Sequence, residues 1–343
     1  MKNRLKALLK PLLRRNWTPI LLPQYQIVES GLIHLKGVIN PAVRTLPANF
    51  ISALKLCDGK NTAREIADKT GVSIAELLKL EQEQIVLFWP KEDWANPNRH
   101  EPEAIILSPH LDDAALSIGS YMLELGRSGL GCDVIDVFST VSWWRFELKP
   151  EWLPMVQRTR DAEEQWIANL TRSKIEKWGL SEAPLRGYPL KEIFTTDRKE
   201  EASQTHAIIR RKVANRAREN PSQTWILPLA IGNHIDHRIA RDAAIEGLRE
   251  AAILPEQILF MEDLPYAAQT PGVKDYSDFL DGILPGCRLK VAQRWQVTKE
   301  KHRLLQIYGS QLTLSQIKMV HDYASRLNRR MPMERIWTFD GKY

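Results

Sequence analysis

Cysteine is scarce: the 343 residues hold three, Cys57, Cys132 and Cys287, far apart and odd in number. That excludes a disulfide framework. A chain of this length buries enough apolar surface to fold without one, and three lone thiols fit ordinary packing positions in a reducing cytoplasm. Long apolar runs are lacking too. The leucines of MKNRLKALLKPLLRR are broken by Pro11 and by Lys2, Arg4, Lys6, Lys10, Arg14 and Arg15, so residues 1–16 predict neither a membrane span nor a secretory leader. The same stretch has no acidic residue and carries much of the net charge of +6. It reads as a basic solvated arm, with interfacial membrane contact or partner docking as the alternative. No glycine-rich fingerprint follows a strand. Ser128–Gly131 (SGLG) precedes one and reads as a turn, which excludes the phosphate cradle of a dinucleotide fold.

What is present is concentrated in two stretches. In EAIILSPHLDDAALSIGSYM, Ala104–Leu107 form the unbroken apolar run of a central strand in a parallel sheet, Ser108 and Pro109 end it, and helical spacing resumes at Ala114. His110, Asp112 and Asp113 therefore lie past a strand's carboxyl end and at a helix start. Free N–H groups favour anions there, and open α/β sheets bind ligands there. Thr224–Ala230 (TWILPLA) repeats the design, and its polar exit, GNHIDH, carries His234, Asp236 and His237 ahead of the helical pattern RIARDAAIEGLREA. Two strands lying close would bring both sets to one sheet edge. Two histidines and a carboxylate, with further positions open, suit a catalytic zinc ion or another divalent ion such as ferrous iron better than a closed structural site.

The pair SPHLDDAALSIG and LAIGNHIDHRIARDA resembles the PIG-L/LmbE-like metal-dependent N-deacetylases, and the resemblance covers roughly residues 101–343. It implies that His110, Asp113 and His237 hold the metal and that Asp112 is the general base. It further implies that His234 faces the scissile amide and steadies the tetrahedral intermediate, with Asp236 orienting His234. Substrate contacts are implied at Arg160, in an R-x-x-E pattern with Glu163, and at Glu182 and Arg186 in SEAPLRGY. LFMEDLPYAAQ, residues 259–269, offers Glu262 or Asp263 as a brace behind the site. The chain departs from the family pattern at Leu111, where proline is usual, and at Ala114, where glutamate is usual; neither is a ligand position.

Residues 17–90 read as a separate module. A hairpin is expected around Glu29–Gly31, followed by two helices with capping boxes at Thr62 and Glu65 and at Ser73 and Glu76. The pattern is winged-helix-like, and LCDGKNTAREIADKTGVS resembles the PqqD-like peptide-binding domains attached to bacterial biosynthetic enzymes. That implies a peptide or protein partner; a cap that only packs on the enzyme is the alternative. Nucleic acid is not expected, because Glu76, Glu81 and Glu83 outweigh Lys79 on the second helix and repel phosphate. A polar, proline-containing linker at 91–101 separates this module from a catalytic domain at 102–343.

Strands alternate with helices beyond the first motif, so the fold class is α/β: a Rossmann-like, mostly parallel sheet flanked by helices, preceded by a small winged-helix-like α+β domain. The function expected is that of a cytoplasmic zinc-dependent N-deacetylase acting on a small N-acetylated substrate such as an N-acetylglucosamine conjugate. One alternative is an amide-hydrolysing tailoring enzyme for a peptide or natural-product intermediate recruited by residues 17–90. The other is a catalytically idle scaffold.

Overall fold

A computed structural model describes residues 14–29, 31–34, 43–91, 102–144, 150–195, 200–270 and 275–340. Most of the basic arm and nearly all of the linker lie outside the described residues. The chain divides into two compact units. One groups Met1–Asn98, Trp143–Trp166 and Gln306–Leu312; the other groups Arg99–Ser142, Ile167–Leu305 and Thr313–Tyr343.

The first unit contains β1 (Trp17–Leu21), β2 (Tyr25–Val28), β3 (Gly31–His34), β4 (Val43–Thr45), α1 (Ala48–Lys55), α2 (Ala63–Thr70), α3 (Ile74–Gln82) and β5 (Val86–Pro90). Strand β1 pairs antiparallel with β5, and β2, β3 and β4 form a separate antiparallel meander. The hairpin expected at Glu29–Gly31 is the β2–β3 pair, with Val28 opposite Gly31. Both expected capping boxes are formed, by Thr62 with Glu65 at α2 and by Ser73 with Glu76 at α3. Each satisfies two backbone donors that the helix itself leaves unpaired. Leu54, Ile66, Leu77, Leu80 and Phe88 meet in one core. In the same unit a buried polar knot forms around Glu163, which accepts from the Ser310 N–H at 2.8 Å, the Ser310 hydroxyl at 2.7 Å and the Gln311 side chain at 3.3 Å.

The second unit is built on β6 (Ala104–Ser108), α4 (Asp113–Ser128), β7 (Asp133–Asp136), the end of α5 (Leu153–Thr171), β8 (Lys174–Lys177), α6 (Glu200–Glu219), β9 (Thr224–Pro228), α7 (Ile235–Glu250), β10 (Ile258–Met261), α8 (Tyr266–Gln269), β11 (Leu289–Gln296), α9 (Lys299–Gln306), α10 (Leu314–Leu327) and β12 (Met333–Phe339). Seven strands form one sheet in the order β11-β12-β10-β9-β6-β7-β8. The pairs β10–β9, β9–β6, β6–β7 and β7–β8 are parallel, and β12 is antiparallel to both neighbours. This is the mostly parallel sheet expected. All five residues of β6 are buried, as a central strand covered on both faces requires. In register, Ile105 sits opposite Trp225, and Trp225 opposite Ile258, so β6, β9 and β10 run level and end at the same edge. The Ser128–Gly131 segment is a turn, with Gly129 as the left-handed cap of α4 at φ +82°. No helix among the described residues is long and apolar enough to cross a membrane.

Burial pushes the Glu163 carboxyl up to about 7, against the pull of the Arg160 charge and of the Ser310 and Gln311 donors. The folded state therefore holds this proton to higher pH than the unfolded chain does. Its contribution to stability is full below about 4.5 and falls as pH rises through about 7. Glu163→Gln should remove that slope, so that the variant gains on the wild type in urea unfolding as pH rises from 4.5 to 7. A difference that stays constant across this range would contradict the assignment.

Candidate metal centre

The first strand exit is a tight turn fixed by one hydroxyl. Ser108, the last residue of β6, donates to the His110 carbonyl at 2.6 Å and accepts from the Ala114 N–H at 3.1 Å. The His110 N–H donates in turn to the Asp113 carboxylate at 2.8 Å, aiming that side chain back over the turn. Asp112 is the N-cap residue of α4 and remains half-buried. The second exit, after β9, is held by the Ile231 N–H donating to Asp263 at 3.0 Å and by the Ile235 N–H donating to the Ile193 carbonyl at 2.8 Å. Gly232 lies here at φ +88°, and a Cβ on it would sit 2.8 Å from the Cβ of Tyr266. Glycine is required twice, for the dihedral and for the close approach.

These exits bring three ligand atoms together. His110 Nδ1 lies 3.2 Å from Asp113 Oδ2, His237 Nε2 lies 3.2 Å from the same oxygen, and the two ring nitrogens are 3.3 Å apart. A tetrahedral ion with bonds of about 2.0–2.1 Å places its ligand atoms roughly 3.3 Å apart, so this triangle fits one face of such a site. The remaining ring nitrogens are backed by buried carboxylates: His110 Nε2 by Asp236 at 3.0 Å and His237 Nδ1 by Asp263 at 2.6 Å. Carboxylates so placed fix which nitrogen carries the proton and leave the other lone pair for a metal. A looser grouping of His110, His234 and His237, with ligand atoms within 4.8 Å of one another, is also present. His234 fits it less well, because its Nδ1 already accepts the Asp236 N–H at 3.2 Å.

Charge follows the same geometry. Burial works against a proton on His237, yet the Asp113 charge and hydrogen bonds to Asp113 and Asp263 outweigh it and raise its pKa to about 9. For His110, burial is likewise overcome by Asp113 and Asp236, which hold its pKa well above the imidazole range. Burial would raise the Asp113 pKa, but the two imidazoles hold it far below the carboxylate range. His234 goes the other way. Burial and the charges of His110 and His237 keep it well below the imidazole range, so it is neutral, and with Nδ1 accepting, its proton is on Nε2.

The structure thus brings His110, Asp112, Asp113, His234, Asp236 and His237 to one edge, and it gives Asp236, Arg186, Arg160 and Glu182 partners that the sequence does not show. The Asp236 carboxylate was expected to orient His234; it bonds His110 instead, and His234 is held by the Asp236 backbone N–H, because the side chain at the start of α7 faces the β6 exit. Arg186, expected to bind substrate, pairs with Asp236 Oδ1 at 2.9 Å and lies over the Phe138 ring. Arg160 falls in the other unit, fully buried, and donates to the Trp143 carbonyl at 3.1 Å. Glu182 accepts from both the N–H and the hydroxyl of Ser142. Of the two candidates for a brace, Asp263 holds His237, whereas Glu262 accepts from Tyr323 and Trp337 and pairs with Arg335. The sequence reading missed Phe194, which is 39% exposed and packs edge-on against His234 with ring centroids 5.4 Å apart. It has no local motif to mark it.

No family model matches the chain. The 2'-N-acetylparomamine deacetylase of Streptomyces fradiae is 28% identical to it over 211 residues, 60% of this chain and 72% of that protein. Among solved structures, a deacetylase of the teicoplanin biosynthesis pathway superposes with a TM-score of 0.55 at 21% identity, over 69% of this chain and 96% of that one. A zinc-inhibited form of teicoplanin deacetylase gives a TM-score of 0.52 at 18% identity, over 69% of this chain and 97% of that one. These likenesses establish that the α/β unit has the fold of such deacetylases.

An ion entering the triangle must displace the proton that His237 holds up to about pH 9. Affinity for a divalent ion should therefore rise with pH from 6 towards 9, and binding at pH 7 should release protons. Calorimetric titration in buffers of different ionisation enthalpy measures that release. Affinity independent of pH over this range would contradict the assignment. Asp236→Asn, which removes the charge behind His110, should weaken metal binding about 10- to 100-fold.

Proposed function

We propose that the chain is a divalent-metal-dependent amide hydrolase that removes the N-acetyl group from an amino sugar, with His110, Asp113 and His237 as the ligands. The observation that carries this reading is the triangle of ligand atoms with a buried carboxylate behind each imidazole. When bound there, a divalent ion supplies an acidified water and a Lewis acid for the amide carbonyl. Asp112 takes the water's proton and passes it to the departing amine. His234, neutral and protonated on Nε2, donates to the carbonyl oxygen as negative charge gathers on it. Asp236 and Asp263 hold the two ligand imidazoles in the tautomers that the ion needs, and Arg186 balances the charge of Asp236.

The amino-sugar substrate follows from the relative that is named for deacetylating 2'-N-acetylparomamine. Zinc is the ion we assign from the donor set, and ferrous iron suits the same three ligands. Binding and activation are separate questions, since one fold neighbour is known in a zinc-inhibited form. Phe194, exposed beside His234, is placed to pack against a sugar ring. For residues 17–90 we propose a winged-helix-like, PqqD-like module that receives a peptide or protein partner. The two boxed helices followed by β5 support that reading.

The roles separate under mutation. Asp112→Asn should keep the metal and lose turnover by about 10²- to 10⁴-fold. His234→Ala should also keep it and lose about 10²-fold or more, whereas His237→Ala should lose metal and activity together. Metal content and amine release, measured side by side, check all three. Hydrolysis by Asp112→Asn at near the wild-type rate would overturn the assignment of the base.

A further inference from the structure

The helix that carries Asp113 is broken in its first half. Within α4, Ile118 has φ −131° and ψ +31°, far from helical values. A regular helix would bond the Ser120 N–H to the Leu116 carbonyl and the Tyr121 N–H to the Ser117 carbonyl. At the break these four groups face two side chains from distant parts of the chain. Lys301 Nζ donates to the Leu116 carbonyl at 2.6 Å and to the Ser117 carbonyl at 3.4 Å. The Glu334 carboxylate accepts from the Ser120 N–H at 3.1 Å and from the Tyr121 N–H at 3.2 Å. Lys301 and Glu334 form an ion pair with each other, and both are almost fully buried. Two backbone hydrogen bonds have thus been opened and an ammonium–carboxylate pair spliced into them.

The polarity of the splice matches the helix. The ammonium meets the carbonyl end of the first segment and the carboxylate meets the N–H end of the second, as the partial charges at helix termini favour. Gly119 makes room. A Cβ there would lie 3.3 Å from Leu304 Cδ2 and 3.5 Å from Lys301 Cγ, tight against the lysine stem. The segment freed by the break, residues 113–117, is little more than one turn, too short to hold its own direction. Its N-terminal end is anchored by Ser108 through the Ala114 N–H. Its C-terminal end is anchored by Lys301, and the Ser117 hydroxyl accepts the Leu264 N–H at 3.4 Å, next to the Asp263 that holds His237.

We propose that Lys301 and Glu334 are positioning residues for the metal centre: the pair wedges α4 open and sets the direction of the 113–117 turn, and so places the Asp113 carboxylate at the third corner of the triangle. This rests on His110, Asp113 and His237 being the ligands. A buried ion pair is a poor device for stability alone, since apolar replacements of similar volume are often neutral or better. Placement of a geometry that a continuous helix would not give is what the pair supplies.

The double variant Lys301→Met, Glu334→Met tests this. It removes the wedge without leaving a lone buried charge, so the ladder is free to close. Co(II) binding to the full-length protein, measured by chelator competition and by the visible absorption of the bound ion, should weaken at least tenfold with an altered spectrum. The thermal midpoint of the metal-free protein should stay within a few degrees of wild type. A control of ordinary core loss, Leu284→Ala, should lower the midpoint and leave the Co(II) affinity and spectrum as in wild type. If the double variant binds Co(II) with wild-type affinity and spectrum, the proposal is wrong and the pair is structural only. If the wild type itself takes up no Co(II), the ligand assignment fails and this proposal fails with it. Should the double variant not fold, Glu334→Gln, which keeps one acceptor for the Ser120 N–H, is read by the same affinity and spectral criteria.

Discussion

Everything at the candidate centre depends on three parallel strands ending level. Strands β6, β9 and β10 are hydrogen-bonded side by side with Ile105, Trp225 and Ile258 in register, and their exits therefore open on one edge. A parallel sheet buried on both faces leaves little else for that edge to do: the strands are apolar but for Thr224 at the start of β9 and Ser108 at the end of β6, so polar chemistry collects where they stop. His110 and Asp113 leave β6, His234 to His237 follow β9, and Asp263 follows β10. A slip of a single residue in either pairing would turn the buried side chains of that strand to the other face and move its exit out of level with its neighbours.

The second requirement is charge. Three imidazoles and three carboxylates lie in a volume from which water is largely excluded, and each ligand histidine has a carboxylate on both sides. Buried charges persist only when they are paired, and here the pairing extends outwards to Arg186 on Asp236. His234 is the member left without a carboxylate on its ring, and it alone is driven towards neutrality. One cluster thus holds two imidazoles suited to ligation and one suited to donating a hydrogen bond.

The strands, the two polar exits and the histidines and aspartates proposed as ligands were legible in the sequence because each is local: an apolar run, a breaker, then histidine and aspartate within a few positions. The capping boxes at Thr62 and Ser73 were legible for the same reason. Partnerships across the fold were not. Asp236 was expected to serve His234, two residues before it, but its carboxylate reaches His110, 126 residues away. Arg160 carried a helical pattern and gave no sign that it would be buried against Trp143. Lys301 and Glu334 meet carbonyl and N–H groups about 200 residues earlier in the chain, and nothing around them in the sequence marks a buried pair. Local pattern reports where chemistry sits; the orientation of that chemistry comes from tertiary contacts.

The most direct test of the account is amine and acetate release by the purified full-length protein, stripped of metal and then reconstituted, on N-acetylated amino sugars such as acetylparomamine, with an N-acetyl peptide as comparison. The account predicts equal amounts of free amine and acetate from the sugar, abolished by chelation and restored by about one divalent ion per chain. Hydrolysis that survives complete removal of metal, or the absence of release from any acetylated amino sugar by protein carrying one ion per chain, would contradict it.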